Sequence, residues 1–190
     1  MELTDALYQA FREVGQDLFA QGLISATAGN FSVRQGAGLW ITKSGVRKNR
    51  LSREDLLYVG LEPDPERDRG ASVELVVHRA IYRATDAGAI VHAHPRTAVA
   101  LSLSLNAIRP RDLEGRLLLG EVPVLDPTTK SASEEAARAA AEGLREHPVV
   151  MLRGHGAFAR GRDLFAAYAR LTVLEESAQI LLFAKLWEAR

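Results

Sequence analysis

The sequence predicts an α/β chain of the α+β type, with a central mixed, mainly antiparallel sheet layered between helices. Extended apolar runs alternate with segments whose apolar residues recur at helical spacing, and several of the extended runs are joined by turns too short for a parallel crossover. The 190 residues suit one domain, spanning 1–190, with a single core that needs no covalent staples.

The elements follow in order. Residues 4–21 carry Leu7, Phe11, Val14, Leu18 and Phe19 at helical spacing, opened by Thr4 or Asp5 as cap and closed by Gly22. "NFSVR" and "LWITKS", separated by Gln-Gly-Ala-Gly, predict a hairpin, and "LLYVG" a third strand. "EPDPERDRG" (62–70) reads as an exposed loop rather than a boundary between domains. From Ser72, Val73, Val76, Val77, Ala80, Ile81 and Ala84 predict a helix that ends at Asp86-Ala-Gly88, before the strand "AIVHA". Pro95 suits the first turn of a helix running to about Leu103. "GEVPVL" predicts a short strand, Ser133 a cap for "EEAARAAAEGL", "PVVML" a buried strand and "AFAR" another. A long helix from Asp163 carries Leu164, Ala167, Tyr168, Leu171, Leu174, Ala178, Leu181 and Leu182 on its apolar face.

Charge and composition exclude several classes. Lys plus Arg and Asp plus Glu number 24 each, so no net field recruits nucleic acid or an anionic membrane, and neither is expected as a partner. The short basic run Arg47, Lys48, Arg50 lies beside Glu54 and Asp55 and reads as a solvated turn, with a phosphate-facing patch as the other reading. Cysteine is absent, so any metal here must be held by nitrogen and oxygen. The first residues lack the basic and apolar regions of a signal peptide, and no apolar stretch approaches the ~20 residues of a membrane span. A cytoplasmic location is expected.

Two of the five histidines stand one residue apart in "IVHAHPRTAVALS". A strand sends residues i and i+2 to one face, so His92 and His94 project side by side as half of a metal site. His155, between two glycines after the apolar strand of "VVMLRGHGAFARG", is the candidate third ligand. A loop histidine explains that stretch taken alone; beside an HxH pair, three histidines with one open position match the usual catalytic zinc arrangement. His147 precedes Pro148 at a helix end and is expected at the surface. Glu74, in the first turn of the helix that Ser72 would cap, is the candidate carboxylate, although acidic residues are common there for dipole reasons alone. Leu75 occupies the place where a capping box would put Glu, so Glu74 is not explained as a reciprocal cap. His78 shares its helix face and reads as a packed, hydrogen-bonded histidine.

"SATAGNFSVR" offers Ser25, Thr27, Gly29, Asn30 and Ser32, and "ITKSGVRKN" offers Thr42, Ser44 and Gly45. Hydroxyls and N–H groups in glycine-containing turns favour phosphate, and the helix N-terminus at Ser72 adds oriented amides. Such turns are also ordinary connectors, so each by itself says little. Neither GxxxxGK[ST] nor GxGxxG occurs, and no nucleotide cofactor is implied.

With "GLISATAGNFSVR", "LWITKSG", "SVELVVHRAIYRATDAGAIVHAHPRTAVALS" and "MLRGHGAFARGRDLFAAYARLTVLEESAQI" in that order, the sequence resembles the class II aldolase/adducin family over nearly its whole length. The resemblance implies a central antiparallel sheet flanked by helices. It implies Zn2+, or another divalent transition metal, on His92, His94 and His155, with Glu74 bound to the metal at rest and serving as general base once substrate displaces it. It places Gly29, Asn30, Thr42, Ser44, Gly45 and Ser72 at the substrate phosphate. The activity implied is cleavage of a ketose 1-phosphate to dihydroxyacetone phosphate and a small aldehyde, by a homotetramer with sites at subunit interfaces. A methylthioribulose 1-phosphate dehydratase or a sugar-phosphate 4-epimerase would use the same metal site. A non-enzymatic adducin-like scaffold would show decayed ligands, and here all stand. Three departures are visible: Val73 replaces a serine before Glu74, "LNAIRPRDLEGRLLLG" holds no tyrosine, and the sequence ends at Arg190 directly after its last helix. The resemblance therefore assigns no proton donor, and Arg109, Arg111, Asp112 and Glu114 are the loop's candidates.

Overall fold

A computed structural model describes residues 1–126 and 131–190. Eight strands among the described residues form one sheet: β1 (Asn30–Gln35), β2 (Gly38–Thr42), β3 (Leu56–Gly60), β4 (Ala89–Ala93), β5 (Ala107–Ile108), β6 (Val122–Leu125), β7 (Val149–Leu152) and β8 (Gly156–Gly161), in the order β3-β2-β1-β4-β8-β7-β6-β5. Among the described pairs only β6–β7 is parallel. Helix α5 (Glu134–Glu146) lies in the crossover that this parallel pair needs, whereas the short turns of β1–β2 and β7–β8 force antiparallel pairing.

The sheet is covered on both faces. Helices α1 (Asp5–Ala20), α3 (Arg96–Ser102) and α6 (Leu164–Glu188) pack on one side, where the small Ala89, Ala93, Ala157 and Ala159 let them approach closely. On the other, α2 (Leu75–Ala84) lies against α5 over Ile41, Ile90, Val150 and Phe158. His92 faces this second side, so its imidazole points toward α2. No helix among the described residues is long and apolar enough to cross a membrane.

Several boundaries differ from the sequence reading. Helix α2 starts at Leu75 with Glu74 as its N-cap, not at Ser72: the Ser72 hydroxyl instead accepts the N–H of Glu74 at 3.3 Å, just ahead of the helix. Pro95 is the N-cap of α3 rather than part of its first turn. The open amides of that turn are taken by a carboxylate from another element: Glu175 on α6 accepts from Thr97 N at 3.0 Å and Ala98 N at 3.2 Å. The loop after α3 contains β5 and a short helix, α4 (Leu113–Leu118), neither of which the sequence pattern announced. Segment 62–70 is a loop as expected, but Asp68 pins it to α2 through both oxygens, at 2.6 and 2.7 Å from the Arg79 guanidinium.

Candidate metal and anion site

The sheet order brings together residues far apart in the chain. Asn30 opposes His92 across β1–β4, and His92 opposes Phe158 across β4–β8. The His92 ring stacks on Phe158 with centroids 4.2 Å apart, and its Nδ1–H donates to Ala157 O at 2.9 Å. That bond fixes the tautomer and leaves the Nε2 lone pair facing outward. His94, just past β4, is held through its backbone N–H on Leu23 O at 2.7 Å. His155 sits in the β7–β8 turn, tied down by Gly154 N on Ser102 Oγ at 2.9 Å and by Arg153 on Asn106 and Asp126.

The two glycines around His155 serve different ends. Gly154 takes a positive φ of 66°, as the sequence reading allowed, but Gly156 does not. At 156 the requirement is space: a Cβ would stand 2.5 Å from Ala93 O and 2.6 Å from His94 Cδ2.

The three imidazoles converge. His92 Nε2 lies 3.0 Å from His94 Nε2 and 3.2 Å from His155 Nε2, and the ligand atoms of the triad all fall within 4.8 Å. Nitrogens bound to one zinc at the usual length are about 3.3 Å apart in tetrahedral geometry. Glu74 completes the group, with Oε1 at 3.0 Å from His155 Nε2 and Oε2 at 3.2 Å from His92 Nε2. A set of imidazole nitrogens and one carboxylate, crowded onto a common point, fits a divalent cation such as zinc.

Burial pushes His92 down, and drives His94 to about 3, while the Glu74 carboxylate opposes the shift in both. Burial by itself would raise Glu74, which is 4 % exposed, but the His92 and His155 rings and the Asn30 amide outweigh it. The carboxyl is held well below its ordinary range, and it is ionised at neutral pH.

Beyond Glu74 the site opens into a cleft of about 180 Å³, lined by Gly29, Asn30, Ser44, Gly45 and Ser72 together with His94 and His155. Gly29 and Gly45 both have positive φ (72°), so the turns flanking β1 and β2 bend there. Thr42, expected at the same place, is instead fully buried, and its hydroxyl accepts from Phe31 N within the sheet at 3.4 Å. Asn30 lines the cleft, but its side chain is already engaged, Nδ2 on Glu74 Oε2 at 2.7 Å and Oδ1 with His78 Nε2 at 2.6 Å. Val73 stands exposed at the rim, where the resemblance implied a hydroxyl.

Lys48 was misread. Arg47 and Arg50 are solvated as expected, yet Lys48 is 1 % exposed and lines the cleft from beneath. Its ammonium donates to Val46 O at 3.0 Å, Thr27 O at 3.3 Å and Lys43 O at 3.4 Å, stapling the 25–29 loop to the turn after β2. The sequence carried no signal for this, because a lysine in a basic run looks solvated until the loop folds over it. Lys48→Met leaves those carbonyls without a donor and is expected to cost about 1–3 kcal/mol, read from the urea unfolding midpoint.

The charged loop residues are occupied elsewhere. Arg109 pairs with Glu121 at 2.6 Å, Arg111 with Glu188 at 2.7 Å, and Asp112 caps α4 through Gly115 N at 2.6 Å. Glu114 lies on the exposed side of α4 beside Leu113 and Leu117. None of the four lines the cleft.

The model of the class II aldolase and adducin N-terminal domain matches residues 9–182. The chain belongs to this family. Its class II aldolase fold is similar to the crystal structure of L-fuculose-1-phosphate aldolase from Thermus thermophilus, with 63% identity and a TM-score of 0.94, covering 98% of this chain and 97% of that one. Among its relatives, the methylthioribulose-1-phosphate dehydratase of Acidiphilium cryptum (strain JF-5) is 35% identical over 92% of this chain and 90% of its own length. The probable bifunctional methylthioribose-1-phosphate isomerase/methylthioribulose-1-phosphate dehydratase of Nocardia farcinica (strain IFM 10152) is 34% identical over 88% of this chain, which spans only 34% of that relative.

Proposed function

We propose that this chain, acting as one domain, is a zinc-dependent aldolase that cleaves a ketose 1-phosphate of the fuculose 1-phosphate kind to dihydroxyacetone phosphate and a small aldehyde. The observation that carries the reading is the convergence of the His92, His94 and His155 nitrogens with Glu74 at one end of a cleft whose other end is built from turns suited to an anion. The 63% identity to the Thermus enzyme supports the substrate class.

His92, His94 and His155 would hold the metal, with Glu74 beside them as a displaceable fourth group. The chemistry supplied by a divalent ion bound there is Lewis-acid stabilisation of the negative charge that develops on the C2 oxygen as the carbon bond breaks. The chain's own residues do the rest. Gly29, Ser44, Gly45 and Ser72 orient the phosphate and so place C3 near Glu74. In cleavage the C4 hydroxyl gives its proton to solvent and becomes the aldehyde carbonyl, and the C3–C4 electron pair moves onto C3 and the adjoining C2 carbonyl. Glu74 takes up a proton from solvent and delivers it to C3, which returns the carboxylate to its ionised form; in the synthetic direction it removes that proton.

A dehydratase reading has its own support in the Acidiphilium relative, because loss of water also begins with a proton removed beside a carbonyl. The exposed Leu113 and Leu117 of α4 and Phe183 and Trp187 of α6 support assembly as a homotetramer, and a cytoplasmic location fits a sugar-phosphate substrate. Incubating zinc-replete protein with fuculose 1-phosphate and with ribulose 1-phosphate should release dihydroxyacetone phosphate, followed by NADH-linked reduction. If metal content is verified and neither sugar is cleaved, aldolase activity is ruled out, and water loss from methylthioribulose 1-phosphate becomes the reading to adopt.

A further inference from the structure

A buried row of polar side chains runs away from the metal site beneath the sheet. Tyr82 Oη lies 2.8 Å from Ser32 Oγ, and Ser32 Oγ lies 2.7 Å from His78 Nδ1. On the other side of the ring, His78 Nε2 is 2.6 Å from Asn30 Oδ1, and Asn30 Nδ2 is 2.7 Å from Glu74 Oε2. Ser32 and His78 are fully buried, while Tyr82 and Asn30 are 2 % and 5 % exposed. Nothing in the reaction above uses His78, Ser32 or Tyr82.

The direction of every bond follows from one end. An ionised carboxylate only accepts, so Asn30 must present its NH2 to Glu74 and its oxygen to His78. His78 then has to carry its proton on Nε2, which leaves Nδ1 as an acceptor. Ser32 must donate to Nδ1, and its remaining lone pair takes the Tyr82 hydroxyl proton. All the donors therefore point toward Glu74. Burial keeps His78 neutral, with its pKa pushed down to about 3, and raises that of Tyr82, so no charge interrupts the row at neutral pH.

We propose that His78 is a positioning residue for Glu74: its Nε2–H latches the Asn30 amide in the one orientation that offers a donor to the carboxylate. The two ends of an amide are nearly equal in shape, so only the hydrogen bonds decide which way Asn30 points. A flipped amide would set its oxygen against the Glu74 carboxylate and turn attraction into repulsion. With the latch closed, Oε2 stays engaged and Oε1 is the oxygen left to move between His155 and substrate. The kinetic consequence rests on Glu74 as the proton carrier proposed above, whereas the tautomer does not.

The test has two arms. Long-range 1H–15N correlation spectra of the wild type, labelled in histidine and assigned with His78→Gln, should show His78 as the Nε2–H tautomer, with or without zinc. In the zinc-replete enzyme, His78→Leu should lower kcat roughly 10–100-fold with KM nearly unchanged, and His78→Gln, whose amide N–H can still reach Asn30, should recover most of the loss. An Nδ1–H tautomer overturns the proposal. So does a folded His78→Leu protein with wild-type kcat, or one in which only KM moves. If the wild type cleaves no sugar phosphate, the assigned activity fails, and the tautomer decides the latch by itself.

Discussion

Glu74→Gln is expected to abolish most turnover while leaving the metal in place. The substitution is nearly isosteric, so the N-cap geometry at α2 and the backbone bonds that Val77 N and His78 N donate to Glu74 O are kept. What disappears is the carboxylate in contact with the triad. Moving a proton to or from a carbon by a positioned side chain contributes roughly 10²–10⁴-fold, and kcat should fall by that much. Because three imidazoles remain, zinc measured by elemental analysis should stay near one per chain. A variant that keeps kcat within threefold of wild type, metal included, would remove Glu74 from the reaction. One that loses its zinc would show that the carboxylate is chiefly a ligand.

A different dissection comes from His155→Ala. This ring sits on a turn with its side chain 34 % exposed, unlike the fully buried His92, so its removal takes away a ligand with little damage to the core. In the wild type, zinc at about a thousandfold excess over its dissociation constant should add about 4 kcal/mol of stability. For a chain of this size that corresponds to an upward shift of roughly 8–16 °C in the unfolding temperature. His155→Ala should keep the metal-free unfolding temperature nearly unchanged and lose most of the zinc-dependent shift, as followed by differential scanning fluorimetry. Retention of the full shift would mean that the metal is held elsewhere. His92→Ala is a poorer probe, since it also unstacks Phe158 and strands the Ala157 carbonyl in the core.

Much of this was legible from residue spacing because the signals are local. An HxH pair on a strand places two imidazoles on the same side whatever surrounds it, and the turns around Gly29 and Gly45 announce themselves by residue type. The alternation of strand and helix patterns was enough to foresee a mixed sheet. The short elements β5 and α4 escaped, since two and six residues are too few to show a period.

The sequence by itself determined the donor types, the HxH geometry and the absence of any thiolate ligand. Only the tertiary structure decided that β8 lies beside β4, which carries His155 to His92 across 63 residues of chain. It also decided that Lys48 is buried rather than solvated, that Thr42 bonds within the sheet, and that Asn30 is shared between Glu74 and His78. Each of these depends on pairing between distant segments. Side-chain environments set by such pairing leave no period or local residue pattern in the chain.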